Sequence, residues 1–152
     1  MSSVLRSRIQ NDLKSAMRAR EALRVSTLRM MIARLKDIDI AARPKAVAEA
    51  DIVVMLRGMV KARREAATLY RHGSRPDLAD KETAEIGIIE EYLPDALSGA
   101  ELDAAIGEAI GATGAAAPKD LGKVLAALKA AHGPALDMVV AASAAKAKLA
   151  KP

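Results

Sequence analysis

Arg57, Lys61, Arg64 and Arg71 follow one another at steps of four, three and seven within a stretch, about Ala48 to His72, that reads as one long helix. At about 100° per residue they fall within about 80° of each other. Ile52, Met55, Met59, Ala66 and Tyr70 share a different side. The row is about 20 Å long at roughly 1.5 Å per residue, a length that suits a phosphate backbone. Solvating an exposed face does not require one sign of charge, and only Glu65 dilutes the row at one flank. Polyanion contact is the chemistry these residues suggest, with a merely solvated face as the plain alternative.

Arg63 stands apart from that row, near the middle of the apolar side with Met59, Ala66 and Tyr70. A guanidinium there must be paired, since an unpartnered buried charge costs several kcal/mol. The next helical segment offers Glu82 and Glu85 on its apolar side, with Leu78, Ile89 and Tyr92. A pairing of Arg63 with Glu85 or Glu82 where the two helices cross is expected, in a structural role.

Covalent chemistry has little to work with. Cysteine is absent, which excludes thiol catalysis, Cys-ligated zinc and disulfides together. Ser26, Ser74, Ser98 and Ser143 fall at helix ends or on helices with no base placed to activate them. Gly107, Gly111, Gly114, Gly122 and Gly133 fit no phosphate-cradling loop, and Gly122-Lys123 lacks the preceding glycine and strand such a loop needs. His72 and His132 have no second ligand three or four residues away. No catalytic residue, metal site or cofactor is therefore expected.

The elements that must carry these residues are helical. Of 152 residues, 34 are Ala, while aromatics amount to 1%, Tyr70 and Tyr92 alone. Ala is the strongest helix former, and strands favour the aromatic and β-branched types that are scarce here. Apolar spacing predicts four longer helices: about Ser3 to Arg20, capped by Ser2 or Ser3; Leu23 to Ile40; Ala48 to His72; and Asp77 to Tyr92. Leu93 to Ser98 reads as a seam. Ser98-Gly99-Ala100-Glu101 reads as a capping box opening a fifth helix, and Gly111 to Pro118 as a loop. A sixth helix is expected from Lys119 to Ala131, and a last one from Pro134 to Leu149 with a Lys-rich tail. The expected fold is all-α, with an N-terminal bundle over 1–94 and a smaller three-helix subdomain over 95–152.

Charge separates the two halves. Residues 1–75 hold 17 Lys+Arg against 7 Asp+Glu, a net +10, whereas residues 76–152 hold 7 against 12, a net −5. A concentrated basic half attracts polyanions in a way that a uniform spread does not. No apolar run approaches the length of a membrane span, and nothing at the N-terminus resembles an export signal, so the cytoplasm is the expected compartment. Without Trp or Phe to anchor at an interface, a membrane-surface role is set aside.

Leu28-Arg29-Met30, Lys61 with Arg63 and Glu65, Tyr70 through Gly73, Arg75, Asp77 and Leu78 are the first part of a recognisable pattern. Glu82, Glu85, Tyr92-Leu93-Pro94, Leu97-Ser98 with Glu101, and Asp120 with Gly122-Lys123-Val124 complete it. In this order and spacing the chain resembles the GatB/YqeY family, which comprises YqeY-like proteins and the C-terminal domain of the aminoacyl-tRNA amidotransferase B subunit. The likeness covers nearly the whole chain and is least clear from His132 to Ala145.

The resemblance implies a pair of helical bundles and, by analogy with the amidotransferase tail, a grip on tRNA with transamidation performed elsewhere. The family-level label of carbon–nitrogen ligase with glutamine as amide donor finds no catalytic machinery in this sequence. The expected partner is structured tRNA, contacted by Arg57, Lys61, Arg64 and Arg71 together with Arg29, Lys36 and Arg75, and by Lys123 from the smaller bundle. With both tyrosines expected in the core, recognition would rest on shape and phosphates rather than on stacked bases. The alternative partner is a translation-related protein, docked on the acidic C-terminal half and its Ala-rich last helix.

Overall fold

The computed structural model describes residues 3–150; Ser2 and the end of the Lys-rich tail lie outside them. Among these residues there is no strand, and seven α-helices follow in chain order. They are α1 (Val4–Ala19), α2 (Ala22–Ala42), α3 (Glu49–His72), α4 (Pro76–Glu90), α5 (Gly99–Thr113), α6 (Leu121–His132) and α7 (Met138–Ala150). The protein is all-helical. The chain forms two compact units, Met1–Leu93 and Pro94–Pro152, each with its own core.

In the N-terminal unit, α1 to α4 bury Ile9, Leu28, Met31, Leu35, Ile52, Leu56 and Ile89 almost completely. Few aromatics are available, so the core is filled by aliphatic and Met side chains interdigitating at close-packed density. Leu28→Ala would remove part of a side chain with no exposure, a change that typically costs about 3–5 kcal/mol. Pro76 occupies the first turn of α4, where its missing N–H breaks no helical bond. The turn before it places Ser74, not Gly73, in the left-handed region at φ 58°.

The start of α1 is held from two directions. Ser3 accepts the N–H of Arg6 at 3.2 Å. Glu49, the first residue of α3, accepts the Leu5 N–H at 2.7 Å and the Ser3 hydroxyl at 2.9 Å. A carboxylate from another helix thus satisfies donors that α1, with no acid in its own first turn, leaves open. The Leu5 N–H, followed by the Ser3 hydroxyl, holds the Glu49 carboxyl below its ordinary value of 4.5. A carboxyl depressed in the folded state stabilises above its unfolded value and loses that contribution as pH falls through the folded one. Glu49→Gln should therefore flatten the acid limb of a stability–pH profile below about pH 4.5, read from urea midpoints. An unchanged acid limb would show that the contact contributes nothing.

The C-terminal unit packs α5, α6 and α7 around Ile106, Val124, Leu128, Leu136, Ala141 and Ala145. Three details differ from the sequence expectation. Ser98 precedes α5 but its side chain caps nothing; Gly99 stands at φ 54°, so the chain enters the helix through a left-handed glycine instead of a capping box. Gly111 does not begin a loop: α5 runs on to Thr113 and stops at Gly114, whose φ of 68° ends it in the usual left-handed way. The last helix starts at Met138 rather than Pro134, after a short 3-10 turn over Gly133–Ala135. Asp137 sets that start by accepting the N–H groups of Val139 and Val140 at 3.1 and 3.4 Å.

Candidate nucleic-acid interface

The basic row lies on the border between α3 and α4. Val53, Val60 and Ala67 are buried as well as Ile52, Met55 and Met59, so the buried arc of α3 is wider than its apolar stripe suggested and reaches the row's edge. Contact with α4 follows from that geometry. Arg64 Nη2 lies 3.0 Å from Glu90 Oε1, and Arg71 Nη2 donates to Thr83 Oγ1 at 3.3 Å. Thr83 and Glu90, seven residues apart, share one face of α4. Arg57 is half-buried, and Lys61 is exposed with no hydrogen bond or ion pair among the described residues. The four cations form a row along one helix, but it is not a uniformly free track.

The outlying cations differ in the same way. Arg29 and Lys36 are exposed on α2, with no hydrogen bond or ion pair among the described residues. Arg75 is bound at both Nε and Nη2 by Asp77, at 3.1 and 3.0 Å. That guanidinium holds the Asp77 carboxyl below the ordinary range. Lys123 belongs to the C-terminal unit, exposed on the first turn of α6. The neighbouring Asp120 carboxyl is held low chiefly by the Ala116 N–H, with the Ala117 N–H and the charges of Lys123 and Lys119 adding to it.

Arg63 is placed quite differently. Its side chain is 13% exposed, and Nε donates to Glu85 Oε2 at 2.9 Å, the Glu85 side chain being 6% exposed. Nη1 donates to the Met59 carbonyl at 3.3 Å, and Nη2 lies 3.5 Å from the Met30 sulfur. One guanidinium therefore ties α2, α3 and α4 together. Of the two acids considered as partners, Glu82 is only half-buried and makes no such contact among the described residues. The guanidinium's remaining nitrogens are directed at the Met59 carbonyl and the Met30 sulfur instead.

Two features escaped the sequence reading. Tyr70 is half-buried rather than committed to the core, whereas Tyr92 is 3% exposed. The Tyr92 hydroxyl donates to Asp12 Oδ2 at 2.5 Å, and the Arg8 guanidinium lies 4.6 Å from the ring centroid. Asp12 lies eighty positions earlier in the chain, and no local spacing could have signalled the pairing. Among the described residues no cluster of His, Asp and Glu is arranged to hold a metal ion.

A sequence model of the family described as YqeY-like protein matches residues 6–149. The chain belongs to that family. This YqeY-like chain is also similar to yeast proteins named "Altered inheritance of mitochondria protein 41, mitochondrial". The Saccharomyces cerevisiae (strain ATCC 204508 / S288c) protein is 29% identical over 95 residues, 62% of this chain and 51% of the relative. The Lachancea thermotolerans protein is 31% identical over 100 residues, 64% of this chain and 54% of the relative. The Vanderwaltozyma polyspora protein is 31% identical over 85 residues, 56% and 46% respectively. The YqeY-like chain thus aligns with about half the length of these relatives. No described helix is long and apolar enough to cross a membrane.

Proposed function

We propose that this YqeY-like chain is an accessory module that binds structured tRNA through phosphate contacts from its N-terminal unit. Lys61, with Arg57, Arg64 and Arg71 beside it, is the centre of the contact, and Arg29, Lys36 and Arg75 flank it. Lys123 is proposed as a further contact from the C-terminal unit. The observation that carries this reading is the exposure of Lys61, Arg29 and Lys36 on packed helices, with no acid bound to them, in a half of net charge +10. The ion pair of Arg64 is exposed, and such pairs are worth about 0–1 kcal/mol, so phosphate can compete for its guanidinium. Binding by basic helix faces without aromatic rings suits a folded RNA recognised by shape. The cytoplasm remains the proposed setting; the yeast relatives carry mitochondria in their names, and either compartment supplies tRNA.

The test is binding of bulk tRNA by the whole chain across a salt series. With about four phosphates neutralised, affinity should fall about 100-fold between 50 and 200 mM salt. Lys61→Glu with Arg64→Glu should weaken binding at least about tenfold while the thermal melt stays within a few degrees, since both side chains are exposed and the Arg64–Glu90 pair is a surface one. Affinity no better than that of an acidic control protein, or one insensitive to salt, would overturn the proposal.

A second reading has one observation in its favour. Met138, Val139 and Val140 are exposed together at the start of α7, on the half that carries net negative charge. A translation-related protein docked there would cover them, and a pull-down resistant to nuclease would separate this reading from tRNA binding.

A further inference from the structure

Between α2 and α3 runs a cleft of about 350 Å³ that the proposed tRNA contact does not use. Its walls are small or flexible: Met30 and Ala33 from α2, Gly58 and Ala62 from α3. The space above Gly58 is open, and a Cβ there would meet no neighbouring side chain within 4 Å. Val54, Gly58 and Ala62 repeat every four residues along α3, and Leu69 falls on the same side. Met30 faces it from α2. Of the six large apolar side chains exposed among the described residues of this unit, Met30 lines the cleft and Val54 and Leu69 share the side of α3 that carries Gly58 and Ala62. Scattered exposed aliphatics need no explanation, but a gathered strip marks an interaction surface.

Its length and chemistry identify the occupant. From Val54 to Leu69 the strip runs about 22 Å along α3, the length of a helix of about 15 residues. A nucleobase needs a ring to stack on, and neither tyrosine lines the cleft. Of the two charged residues lining it, Arg63 is already paired with Glu85, whereas Arg34 is exposed, and the exposed Arg29 and Lys36 lie on the same helix. Asp37, 3.8 Å from Arg34, and the exposed Glu65 are outnumbered on this face. Two copies meeting through the same face would set those cations against each other.

We propose that the α2–α3 cleft receives an amphipathic helix of a partner protein, aliphatic on the inner face and carboxylate-bearing at its edges. Small residues let the incoming backbone approach closely, and the flexible Met30 adapts to its side chains. Carboxylates on the incoming helix meet Arg34, Arg29 and Lys36. Arg29 and Lys36 also flank the proposed tRNA contact, so the two activities are told apart at Ala33 and Arg34, which line the cleft and take no part in that contact.

The test places a photo-crosslinking residue at Ala62, which is exposed, in the full-length chain within cells that make it, and maps the captured segment by mass spectrometry. The expected adduct is a protein segment with apolar residues three and four apart and more Asp and Glu than Lys and Arg. Bound as a synthetic peptide to the purified chain, that segment should lose affinity at least tenfold on Arg34→Glu, and on Ala33→Glu. These positions are exposed, and an unchanged circular-dichroism melt separates lost docking from lost folding. Four outcomes overturn the proposal: nuclease-sensitive adducts, adducts to a second copy, a captured segment that is basic or not amphipathic, or capture no greater than from a crosslinker at exposed Ala19.

Discussion

Glu85→Ala is expected to destabilise the N-terminal unit by about 3–5 kcal/mol, because it strands the Arg63 guanidinium in the core with no carboxylate. The unit comprises Met1–Leu93, and for a unit of that size such a loss lowers the thermal midpoint by at least about 10 °C. Arg63→Ala should cost a comparable amount, as the side chain bridges three helices and its stem is packed as well as its charge. The double variant Arg63→Met with Glu85→Leu should recover most of the loss, since an apolar pair of similar volume escapes the desolvation that the ion pair offsets only by its geometry. Urea unfolding of the three variants beside the unchanged chain reads all three values. If Glu85→Ala costs less than about 1 kcal/mol, the pair behaves as an exposed one and its assigned role fails. A structural pair also predicts that the folded double variant binds tRNA as the unchanged chain does.

What was readable in the sequence follows the range of each signal. Helix periodicity and proline are local, so the four long helices lie within a few residues of where spacing puts them. Arg63 betrayed itself because a charge on an apolar stripe demands a partner, and Glu85 on the next helix was among the acids in reach. The basic row was also readable as a row. Its engagement was not, because whether Arg64 and Arg71 face water depends on how far α3 is buried against α4, and Val53, Val60 and Ala67 extend that burial to the row's edge. The caps divide in the same manner. Ser3 caps its own helix, whereas Glu49 serves a helix 44 positions away and Ser98 is turned out of its expected role by the left-handed Gly99. Contacts closed by tertiary packing leave no spacing to read.

Tyr92→Ala should be the other severe substitution, costing about 3–5 kcal/mol for the loss of a ring that is 3% exposed. Tyr92→Phe isolates the hydroxyl and should cost about 1–2 kcal/mol, since Asp12 remains partly open to water once its donor is gone. The pH profile discriminates further. Burial, then the hydrogen bond to Asp12 and the charge of that carboxylate, push the Tyr92 hydroxyl well above its ordinary value of 10, with Arg8 and Arg24 pulling weakly the other way. A group whose folded value is raised contributes its full stability below the unfolded value and loses it as pH climbs toward the folded one. The unchanged chain should therefore lose stability from about pH 10 upward more steeply than Tyr92→Phe, and the gap between their urea midpoints should narrow as pH rises. Identical alkaline limbs would mean that the hydroxyl ionises in the fold as it does in water. The site matters beyond its energy. Arg8 donates to the Glu91 carbonyl at 3.0 Å, and Arg24 binds the Glu91 carboxylate at 2.7 Å and Glu21 at 3.2 Å. Together these contacts fasten the end of α4 to α1 and α2 at the last residues of the N-terminal unit. Tyr92→Ala should accordingly raise amide exchange at the end of α4 first, ahead of the α3 residues that carry Lys61.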